Sequence, residues 1–139
     1  MDIRLMNSSD YDAAVDLWKN TVGMGINEID DSRAGIEKFL NRNPNTCFVA
    51  EENGKLIGTI LCGHDGRRAF IYHTAVIGHM RGNGVGKTLV ETAVTALKNE
   101  GITKAALVVI RSNQPGNAFW ERMGFVERPD LVYRNKSLF

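Results

Sequence analysis

Little in this chain points to membranes, metals, disulfides or broad polyanion binding. No apolar run approaches the length of a membrane span, and the amino terminus, Met1-Asp2-Ile3-Arg4-Leu5, lacks a basic segment followed by a long apolar one. A cytoplasmic protein with no membrane partner is expected. The 17 Lys and Arg residues nearly balance 16 Asp and Glu, so a net charge of +1 offers no general attraction for nucleic acid or acidic lipid. Any anion binding must be local. Cys47 and Cys62 lie inside apolar runs without C-x-x-C spacing, which predicts buried reduced thiols. His64, His73 and His79 show no metal-ligand spacing, so no metal site is expected. Repeats, low-complexity segments and linkers are also missing. What remains is 139 residues with 43% hydrophobic and 24% charged residues, which predicts one globular domain over residues 1–139.

Periodicity supplies the elements. Ile3 and Leu5 alternate with polar residues as in a strand, and Asn7-Ser8-Ser9-Asp10 offer N-caps. Tyr11, Ala14, Val15, Leu17 and Trp18 form one apolar helical face that reaches about Thr21. Residues 22–29 have glycines and no clean period, and read as a mobile loop. Asp30-Asp31-Ser32 cap a second helix carrying Ile36, Phe39 and Leu40, which ends before Asn43-Pro44. Strand patterns at 46–50, 56–62 and 69–77, separated by Asn53-Gly54 and Asp65-Gly66, predict an antiparallel meander.

The helix over 84–100, closed by Gly101, carries Val85, Leu89, Val90, Ala93, Val94 and Leu97 on one face. Residues 105–110 are apolar and β-branched, as in a buried strand, so 69–110 reads as a βαβ unit with its two strands parallel. That crossover aims the helix N-terminus at the carboxyl edge of the first strand, where ligands collect. A shorter helix over 116–123 ends at Gly124, and 125–139 reads as strand interrupted by Pro129.

The segment Arg81-Gly82-Asn83-Gly84-Val85-Gly86-Lys87-Thr88 opens the long helix. Closely spaced glycines let backbone N–H groups approach a ligand, and a helix N-terminus favours phosphate. Gly86-Lys87-Thr88 suggests a Walker A loop, but that motif needs glycine where Arg81 stands. The dinucleotide pattern G-x-G-x-x-G fails at Lys87 or at Leu89. What fits is Arg-x-x-Gly-x-Gly at Arg81, Gly84 and Gly86. This resembles the pyrophosphate loop of the GCN5-related N-acetyltransferases (GNAT), which bind acetyl-coenzyme A. Thr74-Ala75-Val76 precedes the loop as in that family. Ser112-Asn113 followed by Phe119-Trp120-Glu121-Arg122-Met123-Gly124-Phe125 is similar to the family's Asn…Phe-Tyr-x-x-x-Gly-Phe. The resemblance spans essentially the whole chain.

The resemblance implies an α/β fold with a mixed, centrally splayed sheet flanked by about four helices. A bulge would part the strand at 69–77 from the one at 105–110, and pantetheine would lie in the gap along Thr74, Ala75 and Val76. Arg81 and the N–H groups of Gly82, Asn83, Gly84, Val85, Gly86 and Lys87 would hold the pyrophosphate. Asn113 would bind the cofactor arm, with Trp120 beside its sulfur. The implied activity is an acetyl-CoA-dependent N-acetyltransferase acting on a primary amine of a small molecule or protein, by direct attack on the thioester. A non-catalytic acyl-CoA sensor of the same fold is the alternative. Small members of the family often dimerise, which implies a homodimer.

Two departures bear on proton transfer. Trp120 stands where many relatives carry the tyrosine that protonates the leaving thiolate, and indole N–H is no physiological acid. Val108 stands where some members carry a glutamate base. The remaining candidates for the catalytic base are His73, Glu28, Asp30 and Asp31. Each has a structural alternative: a half-buried strand residue for His73, a solvated loop carboxylate for Glu28, and helix caps for Asp30 and Asp31. Trp120 fits a core role as well as a catalytic one, and Lys87 fits a solvated helix face as well as a phosphate contact.

Overall fold

The computed structural model describes residues 1–139 as two units, Met1–Val108 and Val109–Phe139. The first holds a five-stranded sheet in the order β1-β2-β3-β4-β5: Asp2–Leu5, Cys47–Glu52, Lys55–His64, Ala69–Val76 and Ala105–Ala106. All neighbours are antiparallel except β4 and β5, which are parallel. Three helices belong to this unit, α1 (Tyr11–Lys19), α2 (Arg33–Arg42) and α3 (Val85–Asn99). The second unit holds α4 (Gln114–Arg122). The chain is thus of the α/β class, with four helices and a mixed sheet. No helix is long and apolar enough to cross a membrane.

Strand alternation divides the core. Cys47, Val49, Leu61 and Ala75 pack with Met6, Ala14, Leu17 and Trp18 from the α1 side and with Ile36 and Leu40 of α2. Leu89, Val90, Ala93 and Leu97 are buried along α3, which packs on β2, β3 and β4. The β2–β3 hairpin turns through Asn53 and Gly54, both at positive φ, as the Asn-Gly signal predicts. Asn7 and Asp10 form a reciprocal capping box before α1, and Arg4 grips Asp10 through both terminal nitrogens at 2.8 and 2.7 Å.

Burial pushes the Asp10 carboxyl up, but Arg4 and the Asn7 amide outweigh it, so its pKa lies below the usual carboxylate range. A depressed folded pKa contributes stability that is present above the unfolded value, about 3.9, and is lost as pH falls through the folded one. Asp10→Asn should therefore flatten the acid limb of a stability-versus-pH curve, measured by urea unfolding. At neutral pH it should cost about 1–3 kcal/mol.

Both cysteines are buried and unpaired. Burial pushes the Cys47 thiol up to about 12 and Cys62 higher still. Neither thiol should react with a disulfide reagent at neutral pH in the folded protein, and both should react at once in denaturant.

The structure corrects the expected elements at several ends. The strand expected over 105–110 is regular only at Ala105–Ala106, because parallel pairing stops at Ala69↔Ala105 and Phe70↔Ala106. Residues 125–139 contain neither helix nor strand, and their ladder groups pair with no strand. Ser32, not Asp30 or Asp31, caps α2, its hydroxyl accepting from the Gly35 amide at 3.0 Å. The end of the segment read as a mobile loop is a hydrogen-bonded turn. The Asn27 side-chain oxygen accepts from the amides of Ile29 and Asp30, at 2.9 and 2.8 Å.

Candidate active site

The glycine loop leads from β4 through a single 3-10 turn, Gly78–Met80, into α3. Gly82 and Gly84 sit at φ of 80° and 81°, where a side chain is strained, and a Cβ added at either meets nothing within 4 Å. The space above the loop is open. Gly84 is the N-cap of α3 and lends no side chain, so the amides of Val85, Gly86 and Lys87 have no acceptor in the protein. The first turn of α3 carries no acidic residue. Unpaired amides at the positive end of a 15-residue helix form an anion-binding surface.

Arg81 and Asn83 brace the loop. Arg81 Nε donates to Val76 O at 3.1 Å, tying the loop to the end of β4, and Asn83 Nδ2 donates to Met80 O at 3.1 Å. Lys87 points along the helix surface toward Glu91, 3.9 Å away.

The edge of β4 is open next to this loop. Ile77 N donates to Ile57 O at 2.8 Å, while Val76 lies opposite Gly58, so antiparallel alternation turns the Val76 backbone away from β3. Beyond Phe70 no strand pairs with that edge. Thr74 and Val76 therefore lie on a free strand edge, with Ala75 turned into the core at 4% exposure.

Register shows why the edge opens there. Leu61 faces Tyr72 and Thr59 faces Ala75, so β4 carries one residue more than β3, a bulge at His73 and Thr74. His73 has φ of 36°, in the left-handed region. Two side chains hold it there. The Trp18 indole donates to Thr59 Oγ1 at 2.9 Å, and that hydroxyl donates to His73 O at 2.8 Å. The Trp18 ring also lies 4.4 Å from the imidazole.

Asp31 completes the arrangement. Its Oδ1 lies 2.7 Å from His73 Nε2, and its Oδ2 accepts from the Asn27 amide at 2.8 Å. Burial pushes the Asp31 carboxyl up, but His73 and the Asn27 amide outweigh it, and its pKa is lowered. An ionised Asp31 only accepts, so Nε2 carries the proton and Nδ1 is left as the basic nitrogen.

Gly35 permits this placement. A Cβ there would meet Asp30 O at 2.3 Å and Ile29 O at 2.5 Å, so only glycine lets the turn fold back on α2. Gly35→Ala should displace the turn that carries Asp31, costing about 1–3 kcal/mol in stability. Turnover should fall while coenzyme A affinity stays unchanged, measured by thermal unfolding, initial rates and calorimetry.

His73 and Asp31 open on a cavity of about 1220 Å3 lined by the 25–31 loop, α2 and the 61–73 hairpin. Glu28 does not line it and makes no hydrogen bond or ion pair, so the structure brings Asp31, not Glu28, to His73. In the second unit, Asn113 caps α4, its Oδ1 accepting from Gly116 N at 3.1 Å and its Nδ2 remaining free to donate. Trp120 packs edge-on against Phe119 and Phe125, each 5.1 Å away. Sequence reading missed the roles of Trp18 and Thr59. A threonine inside the apolar run at 56–62 was the available signal, because a hydroxyl buried in a strand needs a partner, and Thr59 is fully buried.

The Acetyltransferase (GNAT) family model matches residues 12–125. An acetyltransferase of Pectobacterium atrosepticum is 29% identical over 138 residues, covering 99% of this chain and 96% of the relative. Among solved structures, Ard1 from Thermoplasma volcanium aligns with a TM-score of 0.80 and 21% identity, over 90% of this chain and 82% of that one. PaiA N-acetyltransferase from Thermoplasma acidophilum, solved in complex with coenzyme A, aligns with a TM-score of 0.76 and 19% identity, over 88% and 87%.

Proposed function

The chain belongs to the GNAT family of acetyltransferases, and on that premise we propose that it transfers the acetyl group of acetyl-CoA to a primary amine of a small molecule or protein. The observation that carries this reading is the row of unpartnered amides at Val85, Gly86 and Lys87, beside the unpaired edge of β4. The coenzyme A complex of a structural neighbour adds support.

Under this reading the amides of 82–87 and the Arg81 guanidinium bind the pyrophosphate, and Thr74 and Val76 offer main-chain groups to the pantetheine amides. Asn113 and Trp120 are assigned to the cofactor on the family motif alone. Residues 1–139 act as one catalytic domain, a reading favoured by the family match running through both units. When bound, acetyl-CoA supplies an activated acyl group whose transfer forms an amide and frees a thiol. His73 Nδ1 takes the proton that the amine must lose, and Asp31 holds the ring and balances the imidazolium. Trp18 and Thr59 keep His73 in its unusual backbone conformation. Trp120 supplies no acid, so the thiolate takes its proton from solvent.

Acceptor-dependent release of free thiol from acetyl-CoA, followed over a panel of amines, tests the proposal. Thiol release with matching N-acetyl product is the expected result. Tight coenzyme A binding with no release from any amine would favour the sensor instead.

A further inference from the structure

The cavity on which His73 and Asp31 open has unlike ends. At one end the Asp30 carboxylate, without any partner, stands beside the Asp31–His73 pair. At the other end lie Arg42, Arg68 and Lys104, with Lys38 one turn back on α2. The side chains of Lys38, Arg42 and Lys104 make no ion pair or hydrogen bond, and the Arg68 guanidinium bonds only the Arg67 carbonyl and the Thr103 hydroxyl, neither of them charged. Asp65, the carboxylate nearest in sequence to Arg68, is spent on the amides of Arg67 and Arg68, each at 2.8 Å. The basic end therefore carries an excess of positive charge, Asp65 being the one carboxylate that lines it against Arg42, Arg68, Lys104 and Lys38.

Two ties fix which end is which. Asp31, just before α2, bonds His73. Asn43, just after α2, accepts from the His64 amide at 3.1 Å, and His64 faces Ala69 at the start of β4. So α2 runs antiparallel to β4 along the cavity. From Ala69 to His73 is four residues of strand, about 13 Å. The ten residues of α2 span about 15 Å. Between the ends the wall is aromatic, Phe39 meeting Tyr72 edge-on at 5.6 Å.

Taking the acetyltransferase reading as its basis, we infer that the acceptor is an amine whose far end carries a carboxylate or phosphate, on the order of 10 Å from the reacting nitrogen. Asp30 and Asp31 attract the ammonium form into the cavity, and His73 takes its proton there. Arg42, Arg68 and Lys104 hold the acid, and Phe39 and Tyr72 line the apolar span. Neutral amines lack the anchor, and diamines meet like charge at the basic end.

The test compares four terminally substituted probes of equal length: aminooctanoate, aminooctyl phosphate, octylamine and diaminooctane. Initial rates give KM for each, and equilibrium dialysis with coenzyme A present gives binding whether or not turnover occurs. Octylamine and diaminooctane should bind at least tenfold more weakly than the better acid-bearing probe, and comparing the two acids separates carboxylate from phosphate. The double variant Arg42→Glu and Arg68→Glu should raise KM for that acid at least tenfold, with coenzyme A affinity unchanged. Equal affinity for octylamine and both acids, or an unchanged KM in the charge-reversed variant, overturns the inference. Failure to bind coenzyme A at all would instead overturn the acetyltransferase reading.

Discussion

Gly86→Glu should abolish coenzyme A binding while leaving the fold at least as stable as the parent. Gly86 is the second residue of α3, past the two positive-φ glycines of the loop. Replacing a helical glycine raises helix propensity, and a carboxylate in the first turn interacts favourably with the helix dipole. The same carboxylate would occupy the amide surface to which the pyrophosphate is assigned. It competes for the N–H groups of Val85, Gly86 and Lys87 and repels the ligand's charge. Losing two charge-assisted hydrogen bonds costs about 3 kcal/mol or more, at least a hundredfold in affinity. Calorimetry with coenzyme A and a thermal melt read the two effects separately. Retained affinity would move the phosphate away from this loop. Lost affinity with a collapsed melt would mean that damage to the fold, not ligand repulsion, was observed.

His73→Asn should lower kcat about a hundredfold or more, the usual contribution of a positioned base. Asparagine tolerates the left-handed backbone of the bulge, so this variant keeps the β4 edge while removing the basic nitrogen. The KM for acetyl-CoA should change little. Asp31→Asn should give a smaller loss, about tenfold, because an amide orients the ring but brings no negative charge to balance the imidazolium. A kcat for His73→Asn within twofold of the parent would remove His73 from the chemistry.

The parts of this account that were legible in sequence are local ones. Helix α3 was readable because its apolar residues recur at helical spacing and Gly101 stops it, and the β2–β3 hairpin because Asn53-Gly54 demands one turn type. The cradle was readable because glycine spacing is itself the mechanism. The Asp31–His73 pair was not readable, since 42 residues separate its members and the register of β4 decides which residue bulges. Asp31 looked like a helix cap because the Asp30-Asp31-Ser32 run offers three capping side chains and spacing cannot rank them. Packing ranked them, through the close approach at Gly35. The short β5 was invisible for a related reason. Residues 105–110 have strand composition throughout, but composition does not say where a neighbouring strand stops pairing.

The central claim is that coenzyme A lies with its pyrophosphate on the 82–87 amides and its pantetheine along β4. Backbone amide shifts on titrating coenzyme A into isotope-labelled protein test it most directly. The largest shifts should fall on Gly82 through Lys87 and on Thr74 and Val76, and Gly86→Glu should abolish them all. Saturable coenzyme A binding that leaves those amides unmoved would contradict it.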